Sequence, residues 1–295
     1  MTSLSRRQFI RYGASAGAAM AFGPTFLAAC GGSSSSVNLD TLSLVQRFPK
    51  DVLTPGRVRL PLSLATKDGI LGSESLADLP NELKFAITDL DGNAIFSAPF
   101  IVAAHATDVP QPYWPVVAEI DDIGTYIVTL DGSEAAGAAF QIVSPDDVAM
   151  PTVGNKLPAF DTPTIAMPRG VSPVCTRTPS PCPLHDINLR DALTMRKPVV
   201  YLIGTPAYCQ TGTCTPALDA LLEVHEELGD RAVFIHAEVY TDSSATTSAP
   251  AVSNYKMTFE PALFITDEAG ILAERLDAIF DVGEVRDALT RNGIS

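Results

Sequence analysis

Five consecutive apolar residues, Val199-Val200-Tyr201-Leu202-Ile203, set the tightest limit on what this chain can fold into. An alternating strand needs cover on one face, whereas an unbroken apolar run needs it on both. The architecture that supplies both covers is a sheet layered with helices. The residues that follow agree. Thr215 is an N-cap for a helix over 216–228, with Pro216 at its first position and Leu218, Leu221, Leu222 and His225 on the inward stripe. Gly229 ends it. Strands are expected over 232–239, 262–266 and 271–276, with a turn at 267–270 and a closing helix over 283–292.

Residues 40–145 have a different rhythm. Val58, Leu60, Leu62 and Leu64 alternate, Asp91-Gly92 is a hairpin signal, and Ala94-Ile95-Phe96 begins the expected return strand. Further strands are expected over 113–120, 125–130 and 140–143. Short strands broken by Gly, Asp and Pro turns predict an immunoglobulin-like β-sandwich, on architecture alone because no Cys…Trp…Cys pattern is present. Trp114 reads as core or rim of that sandwich and His105 as a surface-loop residue.

Between the two lies a proline-rich connector, residues 146–184, expected to be extended and semi-rigid. Beyond it, Asn188 or Asp186 can cap a short helix. The fold class is therefore β followed by α/β: signal segment 1–29, Gly/Ser tether 30–39, sandwich 40–145, connector 146–184 and α/β domain 185–295.

The first residues, Ser5-Arg6-Arg7-Gln8-Phe9-Ile10, resemble a twin-arginine export signal, and Leu27-Ala28-Ala29-Cys30 resembles a bacterial lipobox. The resemblance implies that Cys30 is lipidated and that the mature protein is membrane-anchored and extracytoplasmic, exported after folding. The competing reading, an uncleaved membrane anchor, is opposed by a short, Gly/Ala-rich apolar stretch. Removing residues 1–29 takes away Arg6, Arg7 and Arg11 and no acid. That leaves 17 basic residues against 34 acidic, net −17, which argues against nucleic-acid binding and places membrane attachment on the lipid.

With Cys30 lipidated, four cysteines remain, an even number for an oxidising compartment. They fall as Cys175 with Cys182 and Cys209 with Cys214. Cys209 and Cys214 lie at a helix entrance, where unpaired N–H groups favour thiolate and make sulfur reactive. Lys197 to Leu202 leading into Thr205-Pro206-Ala207-Tyr208-Cys209, together with Glu260-Pro261-Ala262-Leu263-Phe264, resembles membrane-anchored thioredoxin-like proteins. The resemblance covers residues 185–293. It implies that Cys209 attacks, that Cys214 resolves, and that Pro261 is cis and sits against them. It implies as partners the thiols or disulfides of exported proteins and a membrane electron donor, with no cofactor. Two features depart from that family. The spacing is Cys-x4-Cys, and Ile203 stands where thioredoxins carry a buried acid, leaving Glu238 and Glu260 as candidates for it.

Other readings stay open. The Cys209/Cys214 pair can be an inert brace in a non-catalytic binding lipoprotein. Cys175/Cys182 reads as a structural disulfide. Cys209 and Cys214 with His236 can hold copper(I), a soft ion, as thioredoxin-fold copper chaperones do. The bland alternative for His236 is a hydrogen-bonded sheet histidine.

Overall fold

A computed structural model describes residues 38–295; Arg6, Arg7, Cys30 and most of the 30–39 tether lie outside the described residues. Eight strands occupy the N-terminal part: β1 (Ser43–Gln46), β2 (Gly56–Thr66), β3 (Gly69–Ile70), β4 (Glu82–Thr88), β5 (Phe100–Ala103), β6 (Trp114–Ile120), β7 (Gly124–Leu130) and β8 (Ala138–Ile142). They make two antiparallel sheets. In one, β2 pairs with β1, β3 and β6; the other runs β5-β4-β7-β8. Alternate residues of the two sheets, among them Leu60, Leu62, Trp114, Phe85, Val128 and Phe140, share one core.

The hairpin signal at Asp91-Gly92 is a turn, with Asp89 Oδ1 accepting from the Asp91 and Asn93 N–H groups. The return strand is later than expected. Only an isolated bridge joins Thr88 to Ala94, and β5 begins at Phe100, just beyond Pro99. Proline cannot donate to a ladder, which accounts for pairing resuming after it.

The C-terminal part contains α1 (Leu189–Ala192), β9 (Val199–Ile203), α2 (Cys214–Leu228), β10 (Val233–Ala237), α3 (Pro250–Tyr255), β11 (Ala262–Thr266), β12 (Leu272–Asp277) and α4 (Val282–Arg291). The sheet order is β10-β9-β11-β12, with β10 and β9 parallel across α2 and the other pairs antiparallel. Every residue of β9 and β11 is buried. Val200, Leu202, Leu263 and Ile265 pack under α2 and α4. Tyr201, Ile203 and Phe264 pack under Leu189, Tyr255 and Phe160 on the other face. Asn188 caps α1 through the Asp191 N–H.

The connector packs against the α/β sheet along its length. The Leu157 N–H bonds Gly270 O, the Leu272 N–H bonds Asn155 O, and Ser172 bridges to Asp242. Met150, Leu157 and Phe160 are buried in the sheet's outer cover. Proline suits this role, because a chain with fewer N–H groups to satisfy can lie buried at lower cost.

The sandwich is not held apart from the α/β part. Alternation put one face of β2 inside; the structure buries the other as well. Arg59 donates to both Glu284 carboxylate oxygens (2.5 and 2.7 Å) and to the Asp277 and Ile279 carbonyls. Tyr113 Oη donates to Glu284 at 2.6 Å. Burial alone would strip charge from Arg59, but Glu284 more than restores it, so the guanidinium stays ionised. Removing one partner of so buried a pair costs about 3–5 kcal/mol. His105 is not a free loop residue either: its Nδ1 lies 2.9 Å from Asp281, the N-cap of α4. Trp114 is fully buried core. No helix among the described residues is long and apolar enough to cross a membrane.

Candidate functional site

β9 ends at Ile203 and delivers Gly204 and Thr205 into the loop that carries the first cysteine. Gly204 is closely walled. A Cβ there would lie 3.3 Å from Pro261 Cβ and 3.4 Å from Cys214 Sγ, so glycine lets the strand end pass between them. The loop turns at Gly212, whose φ is +70° and whose N–H bonds Cys209 O.

The helix begins two residues earlier than the sequence suggests. Thr213, not Thr215, is the N-cap, and Cys214 is the first residue of α2. Pro216 is tolerated inside the first turn because N–H groups there have no intrahelical partner to lose. Cys214 is therefore fixed in the helix and buried, while Cys209 lies half-buried in the loop before it.

The Cys214 thiol donates to Glu260 Oε2 at 3.3 Å, and the same oxygen accepts from the Thr205 N–H at 3.1 Å. Glu260 precedes Pro261, and the bond between them is cis. Thr211 Oγ1 lies 3.2 Å from Cys209 Sγ. Charges at the site divide unequally. The neighbouring Cys214 side chain, then hydrogen bonds from Thr211 and from the Cys214 and Thr213 N–H groups, outweigh burial and lower Cys209 to a pKa of about 4. Burial, then Cys209 and Glu260, push Cys214 far above the ordinary thiol range. Burial and then the Cys209 thiolate raise Glu260 to about 7. One sulfur is a standing nucleophile, the other a protected thiol with a carboxylate in hydrogen-bond reach to take its proton.

Of the two acids offered in place of the one missing at Ile203, Glu260 is on Cys214. Glu238 is elsewhere: its Oε1 accepts from the Thr176 N–H and hydroxyl at 2.6 and 2.9 Å. His236 is not aimed at Cys209 and Cys214. Its Nδ1 faces Cys175, Cys182 and His185, so the trio Cys209, Cys214 and His236 does not converge. The parallel pairing of β10 with β9 turns the His236 ring toward the connector, where Cys175 and Cys182 are buried. These two are not bonded to each other; the four cysteines among the described residues are free thiols, and the Cys182 N–H donates to Cys175 Sγ at 3.4 Å. His225 is a partly buried edge residue against Phe234. A cleft of about 230 Å³ between β2 and β12 holds none of the cysteines.

Residues 3–23 match the family model of the TAT (twin-arginine translocation) pathway signal sequence. The chain thus carries a signal for export across the cytoplasmic membrane, in agreement with Arg6 and Arg7. No curated protein matches the chain.

Proposed function

We propose that the protein is an exported, lipid-anchored thiol–disulfide oxidoreductase with a thioredoxin-like α/β region and an immunoglobulin-like sandwich. The observation that carries the reading is the asymmetry of one cysteine pair. Cys209 is half-exposed with its thiol acidified to about 4, and Cys214 is buried, protonated and hydrogen-bonded to Glu260. Support for the fold name comes from the β10-β9-β11-β12 order, α2 starting at the second cysteine, and Pro261 across Gly204 from Cys214.

In exchange, the Cys209 thiolate attacks one sulfur of a substrate disulfide. The S–S bond breaks, its second sulfur leaves as thiolate and takes a proton from solvent, and a mixed disulfide with Cys209 remains. Glu260 takes the Cys214 proton. Cys214 then attacks Cys209 Sγ, forming the Cys209–Cys214 disulfide and releasing the other substrate sulfur, which is protonated in turn. Substrate gains two electrons from the pair and two protons, one supplied by solvent and one balanced by the proton that Cys214 gives to Glu260. The reverse sequence oxidises a substrate dithiol. Among the described residues no backbone–backbone hydrogen bond engages the Glu260 N–H or C=O, which leaves an edge for a substrate peptide. A membrane dithiol donor or disulfide acceptor resets the pair.

Lipidation at Cys30 is part of the same proposal, and Cys30→Ala should move the protein from membrane to soluble fraction; retention at the membrane counts against it. The test of the function is the reduction potential of the Cys209–Cys214 pair in the full chain, measured by thiol trapping with peptide mapping. A value between about −120 and −270 mV is that of exchanging oxidoreductases. A value below about −300 mV is that of a structural brace and overturns the reading. Cys209→Ser should lower disulfide-exchange activity by at least about 10³-fold in a folded variant.

A further inference from the structure

A second cluster lies behind Gly204, and the exchange chemistry leaves it unused. Cys175, Cys182 and His185 come from the connector and its end, His236 from β10, and all four are buried. Their facing atoms converge. His236 Nδ1 is 3.2 Å from His185 Nε2, 3.5 Å from Cys182 Sγ and 3.7 Å from Cys175 Sγ; His185 Nε2 is 3.2 Å from Cys182 Sγ. We propose that Cys175, Cys182, His185 and His236 form a closed tetrahedral zinc site that clips the connector to the sheet.

The spacing is that of ligands around one ion. Zinc–sulfur bonds of about 2.3 Å and zinc–nitrogen bonds of about 2.0 Å span tetrahedral edges of about 3.3 Å between nitrogens and about 3.5 Å between nitrogen and sulfur. The neutral ring has one tautomer open to it. His236 Nε2 lies 2.9 Å from Gly204 O, a group that can only accept, so Nε2 carries the hydrogen and, in the neutral imidazole that a metal binds, Nδ1 presents its lone pair inward. That carbonyl is the outer partner a metal-bound imidazole uses for orientation. His185 Nδ1 has no partner among the described residues, so this support exists on one imidazole only. A single Nδ1 lone pair cannot accept from three neighbours at once, whereas a cation satisfies all four groups together.

Charge favours the same occupant. A divalent ion with two thiolates and two neutral imidazoles is neutral, the form a fully buried site tolerates. Binding releases the two thiol protons to solvent and changes no oxidation state. Two nitrogens and two sulfurs in a closed shell, with no ligand position left open to solvent, describe a structural site. His236 lies 61 residues from Cys175 and 51 from His185, so the ion would tie distant segments together.

The test is metal analysis of the full chain purified from zinc-supplemented cells, followed by X-ray absorption. About one zinc per chain, held by two sulfurs and two nitrogens, is expected. Cys209→Ser/Cys214→Ser should keep that ion, whatever becomes of exchange activity. His185→Ala and Cys182→Ser should lose it. Because these variants can unfold, cobalt replacement in the wild-type chain is the second measurement, and the absorption of a tetrahedral S2N2 ion is expected. Absence of stoichiometric metal, a Cys175–Cys182 disulfide in the fresh protein, copper(I) in place of zinc, or loss of the ion in the Cys209→Ser/Cys214→Ser chain would each overturn the proposal.

Discussion

Cys209 and Cys214 face a helix N-terminus and one carboxylate; Cys175 and Cys182 face two imidazoles. The pairs are near neighbours, because Gly204 touches Cys214 with its Cα side and His236 with its carbonyl. Sulfur chemistry here follows from the partners and from access. A half-exposed thiolate beside N–H donors can reach another molecule's sulfur. Two buried thiols beside inward lone pairs can reach only each other or a cation. The contrast teaches that cysteine spacing alone assigns neither role: the Cys-x4-Cys pair holds the half-exposed, more acidic sulfur, and the Cys-x6-Cys connector pair is buried against two imidazoles.

The largest expected difference is in alkylation of the native reduced protein. At pH 6 a thiol of pKa about 4 is almost fully thiolate, about 300-fold more than an ordinary thiol, while its lower basicity reduces intrinsic nucleophilicity by about 10²-fold. The net gain for Cys209 is only about threefold over a free thiol, so rate alone is a weak signature. The pH profile is the strong one. The Cys209 rate should stay flat from pH 8 down to about 5 and fall only as pH approaches about 4, the value set chiefly by the neighbouring Cys214 side chain. Cys175 and Cys182 should be at least about 10³-fold slower, being buried and metal-bound. Equal labelling of all four, or a Cys209 inflection near 8, breaks the contrast.

A smaller effect is expected from Glu260→Gln. The carboxyl titrates at about 7 because burial and the nearby Cys209 thiolate disfavour its charge. Below that pH it is protonated and cannot accept the Cys214 proton; above it, it can. In the mixed disulfide the Cys209 thiolate is gone and chiefly burial holds Glu260 up, so resolution should speed up as pH rises through an inflection below about 7 and above the ordinary carboxylate range in the wild type. In Glu260→Gln that step should vanish and the rate fall by about 10²-fold, the ordinary scale of general-base help. First attack by Cys209, read as formation of the mixed disulfide, should change much less. An unaltered resolution profile would remove Glu260 from the chemistry.

Much of this was legible in the sequence, and the failures share a cause. Val199–Ile203 and Ala262–Thr266 are read to the residue, because a strand covered on both faces leaves an unbroken apolar run. Cys209 and Cys214 are recognisable from the helix that follows them. His236 is the hydrogen-bonded sheet residue that one reading expects, while the alternative trio with Cys209 and Cys214 does not converge, since alternation tells which residues share a face and not which distant segment covers it. The local run Cys175-x6-Cys182-x2-His185 was visible and could have raised the metal reading, but its fourth ligand arrives only through the β9–β10 pairing. Arg59 is the same case. A charged residue in an alternating strand reads as solvated, and Glu284, which buries it, is 225 residues away.

The smallest effect, and the one that tests whether the two cysteine pairs are separate, belongs to Gly204→Ala. Its backbone is not in the left-handed region, so the substitution acts through volume alone. The new methyl would press on Pro261 Cβ at 3.3 Å and meet Cys214 Sγ and Cβ in ordinary contact at 3.4 and 3.5 Å, all on the exchange side. Overpacking of this kind costs about 1–3 kcal/mol. His236 is held through the Gly204 carbonyl, which the methyl does not replace. The expected result is a lower thermal midpoint and resolution by Cys214 slowed several-fold, with the four-ligand site still holding its ion. Loss of the ion together with the slower resolution would mean that the strand end transmits displacement from one pair to the other. The two sites would then be a single coupled device, in which oxidation at Cys209 and Cys214 is felt at the clip that holds the connector in place.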